Sequence, residues 1–136
     1  MTRVLILCTG NSARSQMAEG LLRRLGSGRL DVQSAGTKPS TVRAEAIAVM
    51  QERGIDISSH RSKHVSEFDG QAFDYVMTVC DAANETCPIF PAGTVRIHWS
   101  FPDPAAVQGT EPERLAAFRS VRDALEKRLA PFAAGF

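Results

Sequence analysis

Residues 4–20, Val-Leu-Ile-Leu-Cys-Thr-Gly-Asn-Ser-Ala-Arg-Ser-Gln-Met-Ala-Glu-Gly, commit the chain to a strand that feeds a helix through a tight loop. Val4, Leu5, Ile6 and Leu7 form an unbroken apolar run, the pattern of a strand covered on both faces in a parallel sheet. Gly10, Asn11 and Ser12 are turn formers. From Ala13 onward Met17, Ala18, Leu21, Leu22 and Leu25 recur at helical spacing. Cys8 therefore sits at the carboxyl end of the strand.

A helix that opens directly from a loop leaves its first N–H groups free, with the positive end of the macrodipole behind them, and this arrangement suits a tetrahedral oxyanion. Thr9, Gly10, Asn11, Ser12, Ala13, Arg14 and Ser15 are expected to line that cradle. The Arg14 guanidinium adds a planar fork of donors matched to phosphate-like oxygens. The same field acts on the thiol: a drop of about two pKa units, within the range for cysteines at helix N-termini, makes thiolate the majority form at neutral pH. Cys8 is thus expected to be a nucleophile facing a bound oxyanion, with Ser15 donating to the thiolate or to the departing sulfur. A lone cysteine on an apolar strand is more often a small buried hydrophobe. The Cys-x5-Arg context is what carries the chemical reading. Neither a G-x-x-x-x-G-K-[ST] phosphate loop nor a G-x-G-x-x-G dinucleotide loop is present.

Downstream, strands and helices alternate. Residues 30–34, closed by Ala35-Gly36, read as a second strand nearer an edge. Ser40 or Thr41 is expected to cap a helix running to Met50 or Arg53, with Val42, Ala46, Ile47, Val49 and Met50 inward and Gly54 as its stop. Residues 54–64 read as loop with a short helical turn, followed by a capped turn at 66–69. Residues 73–79 form a β run ending at Cys80, and residues 94–98 form another. Glu111-Pro112-Glu113 opens a long helix to about Leu129, with Leu115, Phe118, Val121, Leu125 and Leu129 inward.

This alternation predicts an α/β fold: a four-stranded parallel doubly wound sheet with right-handed crossovers and helices on both faces. Ligands bind such sheets outside the carboxyl ends of the strands. Cys8, Cys80 and Asp103 all fall there, and the two sulfurs share one edge if their strands are neighbours. Asp103, in Phe-Pro-Asp-Pro, is the carboxyl best placed to protonate a leaving oxygen. His98 and Trp99 read as strand-end packing, His60 and His64 as solvated, and Asn11 as a residue that holds the loop through its amide.

At 136 residues the chain is expected to form one domain, 1–136. A formal net charge of +1 and the lack of any basic block argue against a nucleic-acid or anionic-membrane partner. No apolar run approaches a signal-peptide core or a membrane span, so a cytoplasmic monomer is expected. Three cysteines, an odd number, do not suit a permanent disulfide framework and invite a catalytic reading. Cys80 and Cys87 frame Cys-Asp-Ala-Ala-Asn-Glu-Thr-Cys-Pro, which matches no usual zinc spacing. A redox pair fits better. Were residues 81–87 helical, the two Cα atoms would stand roughly 10 Å apart along the axis, whereas a disulfide wants about 4.4 to 6.8 Å. Closing the bond requires the segment to unwind, and its small polar residues make that rearrangement cheap.

Taken together, these residues resemble the thioredoxin-coupled arsenate reductases, built on the low-molecular-weight protein tyrosine phosphatase fold. The likeness spans essentially the whole chain: residues 8–20, Ser34-Ala35-Gly36, Gly54-Ile55-Asp56-Ile57-Ser58, residues 80–88, and His98-Trp99 followed by Asp103-Pro104. The resemblance implies that Cys8 attacks arsenate held by the loop and Arg14 while Asp103 protonates the departing hydroxyl. It implies further that Cys80 attacks the arseno-cysteine sulfur, releasing arsenite and leaving a Cys8–Cys80 disulfide. Cys87 then takes over, and the Cys80–Cys87 disulfide swings outward for reduction by thioredoxin or another thiol reductant. Two thiols supply the two electrons, so no metal or flavin cofactor is implied.

Two positions depart from the commonest family pattern. Ala13 replaces a cysteine often found inside the loop, which removes an alternative disulfide. Some relatives bind a potassium ion near the loop, and Asn11, Glu19 and Ser34 match three of its ligands. Lys63 stands at the matching acidic position, which implies an ammonium in place of the ion. Two other functions compete. A low-molecular-weight tyrosine phosphatase shares the loop and the acid, but it has no use for Cys80 with Cys87. It also wants aromatic walls, whereas Asp103 is followed by Pro104-Ala105-Ala106 and Tyr75 is the one tyrosine. The third reading is a non-enzymatic oxyanion- or redox-sensing module.

Overall fold

The computed structural model describes residues 1–80 and 93–136. Four parallel strands, β1 (Thr2–Cys8), β2 (Leu30–Gly36), β3 (Tyr75–Thr78) and β4 (Val95–His98), stand in the order β2-β1-β3-β4. This is the expected sheet, with β2 at an edge. The chain steps from β1 outward to β2 and then returns past β1 to β3, so the winding reverses between the two central strands. Loops leaving such neighbours diverge and open a crevice at the carboxyl end. The register pairs Cys8 with Gly36 and Leu7 with Thr78, and the Val79 N–H donates to Leu7 O at 3.0 Å. Cys8 and Cys80 therefore leave adjacent strands at the same end of the sheet.

Val4, Leu5, Ile6 and Leu7 are fully buried, as a central strand requires. Among the described residues three α-helices accompany the sheet: α1 (Arg14–Gly26), α2 (Ala44–Gln51) and α3 (Glu111–Ala134). α3 packs against both α1 and α2. Met17, Leu21 and Leu22 of α1, Val49 and Met50 of α2, and Phe118, Leu125 and Leu129 of α3 enter the core. Each contributes about 1.5–3 kcal/mol by leaving water. Arg122, nearly buried, clamps α3 to α2 by donating from Nη1 to Val49 O and to Glu52 Oε1, both at 2.8 Å. None of the helices among the described residues is long and apolar enough to cross a membrane.

Two helix boundaries differ from the sequence expectation. α2 starts at Ala44 with Arg43 as its N-cap and has no side-chain cap. Residues 38–43 run along the loop after β1 instead, where the backbone N–H of Ser40 donates to Gly10 O and that of Arg43 to Ser12 O, and the helix starts only past Arg43, whose backbone is extended. At the other end of the chain, α3 passes Leu129 and continues through Pro131 to Ala134. The proline forfeits one helical hydrogen bond. Phe132, edge-on to Tyr75 at 5.1 Å, and the buried Ala133 hold the final turn in place. At its start α3 has a reciprocal cap, in which Thr110 and Glu113 each receive the other's backbone N–H.

Candidate active site

The loop between β1 and α1 is shaped from outside. Thr9 O, Gly10 O and Ser12 O accept the backbone N–H groups of Lys38 at 2.8 Å, Ser40 at 3.2 Å and Arg43 at 2.9 Å. Carbonyl and N–H point opposite ways across a trans peptide. The N–H groups of Gly10, Asn11 and Ala13 therefore turn inward, a geometry suited to an anion. α1 joins this loop without any side-chain cap, so its first N–H groups remain free for a ligand. Gly36 permits the close approach: a Cβ there would lie 2.5 Å from Thr9 O and 2.9 Å from Asn11 N, both backbone atoms that cannot yield.

Asn11 is fully buried in the left-handed conformation, at φ 46°, which asparagine tolerates better than most residues. Its amide is fully used. Nδ2 donates to Ser15 Oγ at 2.8 Å and Ser34 Oγ at 3.0 Å, while Oδ1 accepts from Gln16 Nε2 at 3.0 Å and from the Lys63 N–H at 2.9 Å. Asn11 thus braces the loop, and Ser15, with its oxygen engaged by Asn11, is fully buried behind it.

Cys8 lies on the floor of a cavity of about 200 Å³ that Gly10, Ser12, Arg14, Arg43 and Asp103 also line. Cys8 and Cys80 are both buried, and Cys80 Sγ is 3.4 Å from Thr9 Oγ1. The expected depression of the Cys8 thiol is absent in this arrangement. Its pKa is pushed well above the usual cysteine range, first by the hydrogen bond with Cys80 and next by burial, while Arg14 and the Thr9 N–H pull it down. Two thiols in contact lose their protons in separate steps, and the second proton is held tightly against a neighbouring thiolate.

Arg14 donates from Nη1 to Phe101 O at 3.0 Å, and its Nη2 stands 3.9 Å from Asp103 Oδ2. Asp103 is half-exposed and caps the short turn Pro104–Ala106 by accepting the Ala105 N–H at 3.0 Å. Around the cavity the structure brings together Cys8, Thr9, Gly10, Ser12, Ala13, Arg14 and Asp103, with Cys80 against Thr9, whereas the side chains of Asn11 and Ser15, expected to line the cradle, are buried behind the loop and bonded to each other. Cys87 and its proposed exchange with Cys80 lie outside the described residues. His98 hydrogen-bonds Thr78 Oγ1 through Nδ1 at 2.7 Å, and Trp99 lies under Arg128 at 5.9 Å, both as strand-end packing.

Gln16 and Arg43 escaped the sequence reading, and His60 is not solvated as expected. The His60 ring Nδ1 is 3.0 Å from Gln16 Oε1 and 3.1 Å from Glu19 Oε2, two acceptors that require the proton on that nitrogen. Burial lowers the pKa of His60. Glu19 opposes that lowering and is what draws His60 inward, being a carboxylate on α1 turned fully into the protein that must gather positive partners. Arg23 Nη1 stands 3.0 Å from its Oε2, and Lys63 Nζ 3.8 Å from its Oε1, the oxygen without a hydrogen bond. His64, by contrast, is exposed and caps the turn Val65–Phe68. The residues around Glu19 do not fit a monovalent metal ion. Cationic groups already surround the carboxylate, and Asn11 offers Ser34 its amide nitrogen rather than its oxygen.

A reversed-winding parallel sheet whose first strand delivers a Cys-x5-Arg loop to a helix N-terminus is the framework of a phosphatase class. The chain belongs to the low molecular weight phosphotyrosine protein phosphatase family, whose model matches residues 3–135. It is similar to the arsenate reductase of Halalkalibacterium halodurans, with 44% identity over 130 residues, 96% of this chain and 94% of the relative. A solved arsenate reductase in the oxidized state superposes with a TM-score of 0.85 at 33% identity, covering 99% of this chain and 98% of the other. The tyrosine phosphatase Wzb from Escherichia coli K30 in complex with sulphate gives 0.81 at 27% identity, covering 98% and 96%.

Proposed function

We propose that the protein is an arsenate reductase: a single-domain, monomeric cytoplasmic enzyme that spends thiols on arsenate and is restored by thioredoxin or a similar dithiol. The observation that carries this reading is the second thiol: Cys80 leaves the strand beside that of Cys8 at the same end of the sheet, with its Sγ 3.4 Å from Thr9 Oγ1 in the anion loop. Phosphate-ester hydrolysis needs one nucleophilic cysteine, whereas a second thiol against the first supplies the other electron for a two-electron reduction.

The Cys8 thiolate attacks arsenic in arsenate held by the loop N–H groups and Arg14. A sulfur–arsenic bond forms, an arsenic–oxygen bond breaks, and the oxygen leaves as water with a proton from Asp103. Cys80 then attacks the Cys8 sulfur. The sulfur–sulfur bond forms while the sulfur–arsenic electron pair stays on arsenic, which departs as arsenite, reduced from the +5 to the +3 state. Cys87 next attacks Cys80, freeing Cys8, and the external dithiol reduces the Cys80–Cys87 bond by exchange.

The test is arsenate-dependent consumption of NADPH by the protein with thioredoxin and its reductase, with arsenite measured directly. Cys87→Ser should give one arsenite per protein and then stop with Cys8 bridged to Cys80. Sustained thioredoxin-driven turnover in that variant overturns the relay. Efficient aryl phosphate hydrolysis without arsenite formation would favour the phosphatase reading.

A further inference from the structure

Arg43 is the N-cap of α2, with an extended backbone whose N–H donates to Ser12 O at 2.9 Å. That bond fixes its Cα beside the anion loop, and Arg43 is among the residues that line the same cavity as Cys8, Arg14 and Asp103. The charges in this cavity do not balance without it. Arg14 and Asp103 face each other at 3.9 Å and are of opposite sign, and Arg14 also gives Nη1 to a carbonyl. An ionised Asp103 offsets Arg14, and an Asp103 that holds the proton for the leaving oxygen leaves Arg14 to meet one of the two charges of a dianion. The Arg43 guanidinium is exposed and, among the described residues, makes no ion pair or hydrogen bond with the protein. It supplies a second positive charge that no protein group engages among the described residues.

We propose that Arg43 is a substrate-binding residue that selects the dianionic form of a tetrahedral oxyanion. The role deepens the arsenate reductase reading and rests on it for the identity of the substrate. A guanidinium at the mouth contacts the outer oxygens of the anion, away from the sulfur that attacks and the oxygen that leaves. It therefore stabilises the bound ground state and the transition state alike, which lowers KM and leaves kcat nearly unchanged. A charge-assisted contact at a half-open site is worth about tenfold in affinity. Because the contact faces solvent, salt weakens it.

The experiment is calorimetric titration of inorganic phosphate into the reduced wild type, Arg43→Gln and Arg43→Lys, on either side of the second phosphate ionisation and at low and high salt. The wild type should bind more tightly as phosphate becomes dianionic. Arg43→Gln should bind about tenfold more weakly at the higher pH, with most of the gain from the second charge lost and a shallower salt dependence. Arg43→Lys, which keeps the charge without the fork, should fall between the two. In arsenate turnover, Arg43→Gln should raise KM by a similar factor with kcat within about twofold of wild type. Equal phosphate affinity of the wild type and Arg43→Gln at both pH values overturns the assignment. If the wild type binds phosphate yet makes no arsenite, the reductase reading falls, while the phosphate comparison still decides the role of Arg43.

Discussion

The chemistry of this site turns on single side chains whose neighbours set their charge. Cys80 is the main reason that the Cys8 thiol holds its proton, ahead of burial, and Arg14 opposes both. Cys80→Ala removes the largest of these effects, so Cys8 should ionise at lower pH, by roughly one unit or more. Thiolate absorbance followed across pH in the reduced proteins checks this; an unchanged midpoint would leave burial as the cause. Glu19 is the matching case behind the loop. Burial draws the Lys63 ammonium below its usual pKa, and Glu19 draws it back up. With its Nζ 3.8 Å from Glu19 Oε1, Lys63 stands as a built-in counter-ion. Wild-type turnover should be the same in potassium and choline salts, whereas Lys63→Ala should be slower and gain from added potassium. A clear potassium activation of the wild type would refute the assignment.

Among the elements, the junction of α2 with α3 has a pH-dependent clamp. Glu52, just past α2, receives Arg119 Nε at 2.9 Å and Arg122 Nη1 at 2.8 Å from α3. These bonds, Arg119 first, hold its carboxyl at about 2, below the ordinary 4.5. A carboxyl lowered on folding favours the folded state above its unfolded pKa, and that contribution fades as pH falls toward the folded value. Glu52→Gln should therefore melt slightly below wild type at neutral pH, with the gap closing between about 4.5 and 2. The effect is small because the carboxylate is solvent-screened. A gap that stays constant down to acid pH would attribute the loss to packing.

For the molecule as a whole, the legible parts were those that local pattern determines. The apolar run ending in Cys8, the turn formers behind it and the helical period from Met17 specify β1, the loop and α1, and alternation then specifies the parallel sheet. What local pattern left open was set by contacts across the chain. Ser40 has the chemistry of a cap, but the segment it belongs to lies along the anion loop, with its N–H on Gly10 O, and the helix starts past Arg43. His60 and Gln16 have no sequence signal because their partner, Glu19, turns inward only once α1 is docked. Arg43 reads as an ordinary surface charge until residues 38–43 are seen to lie along the anion loop. The position of Gly36, just past a strand in Ser-Ala-Gly, was a usable hint that two backbones meet there.

The outward tethering of Thr9 O, Gly10 O and Ser12 O has a consequence for turnover. A seat assembled before its occupant arrives demands no ordering from the chain when the anion lands. It is equally unable to reshape itself around a different guest. Arsenite, an uncharged pyramid at neutral pH, matches neither the inward N–H groups nor the guanidinium pair, so the rigidity that captures the reactant also ejects the product.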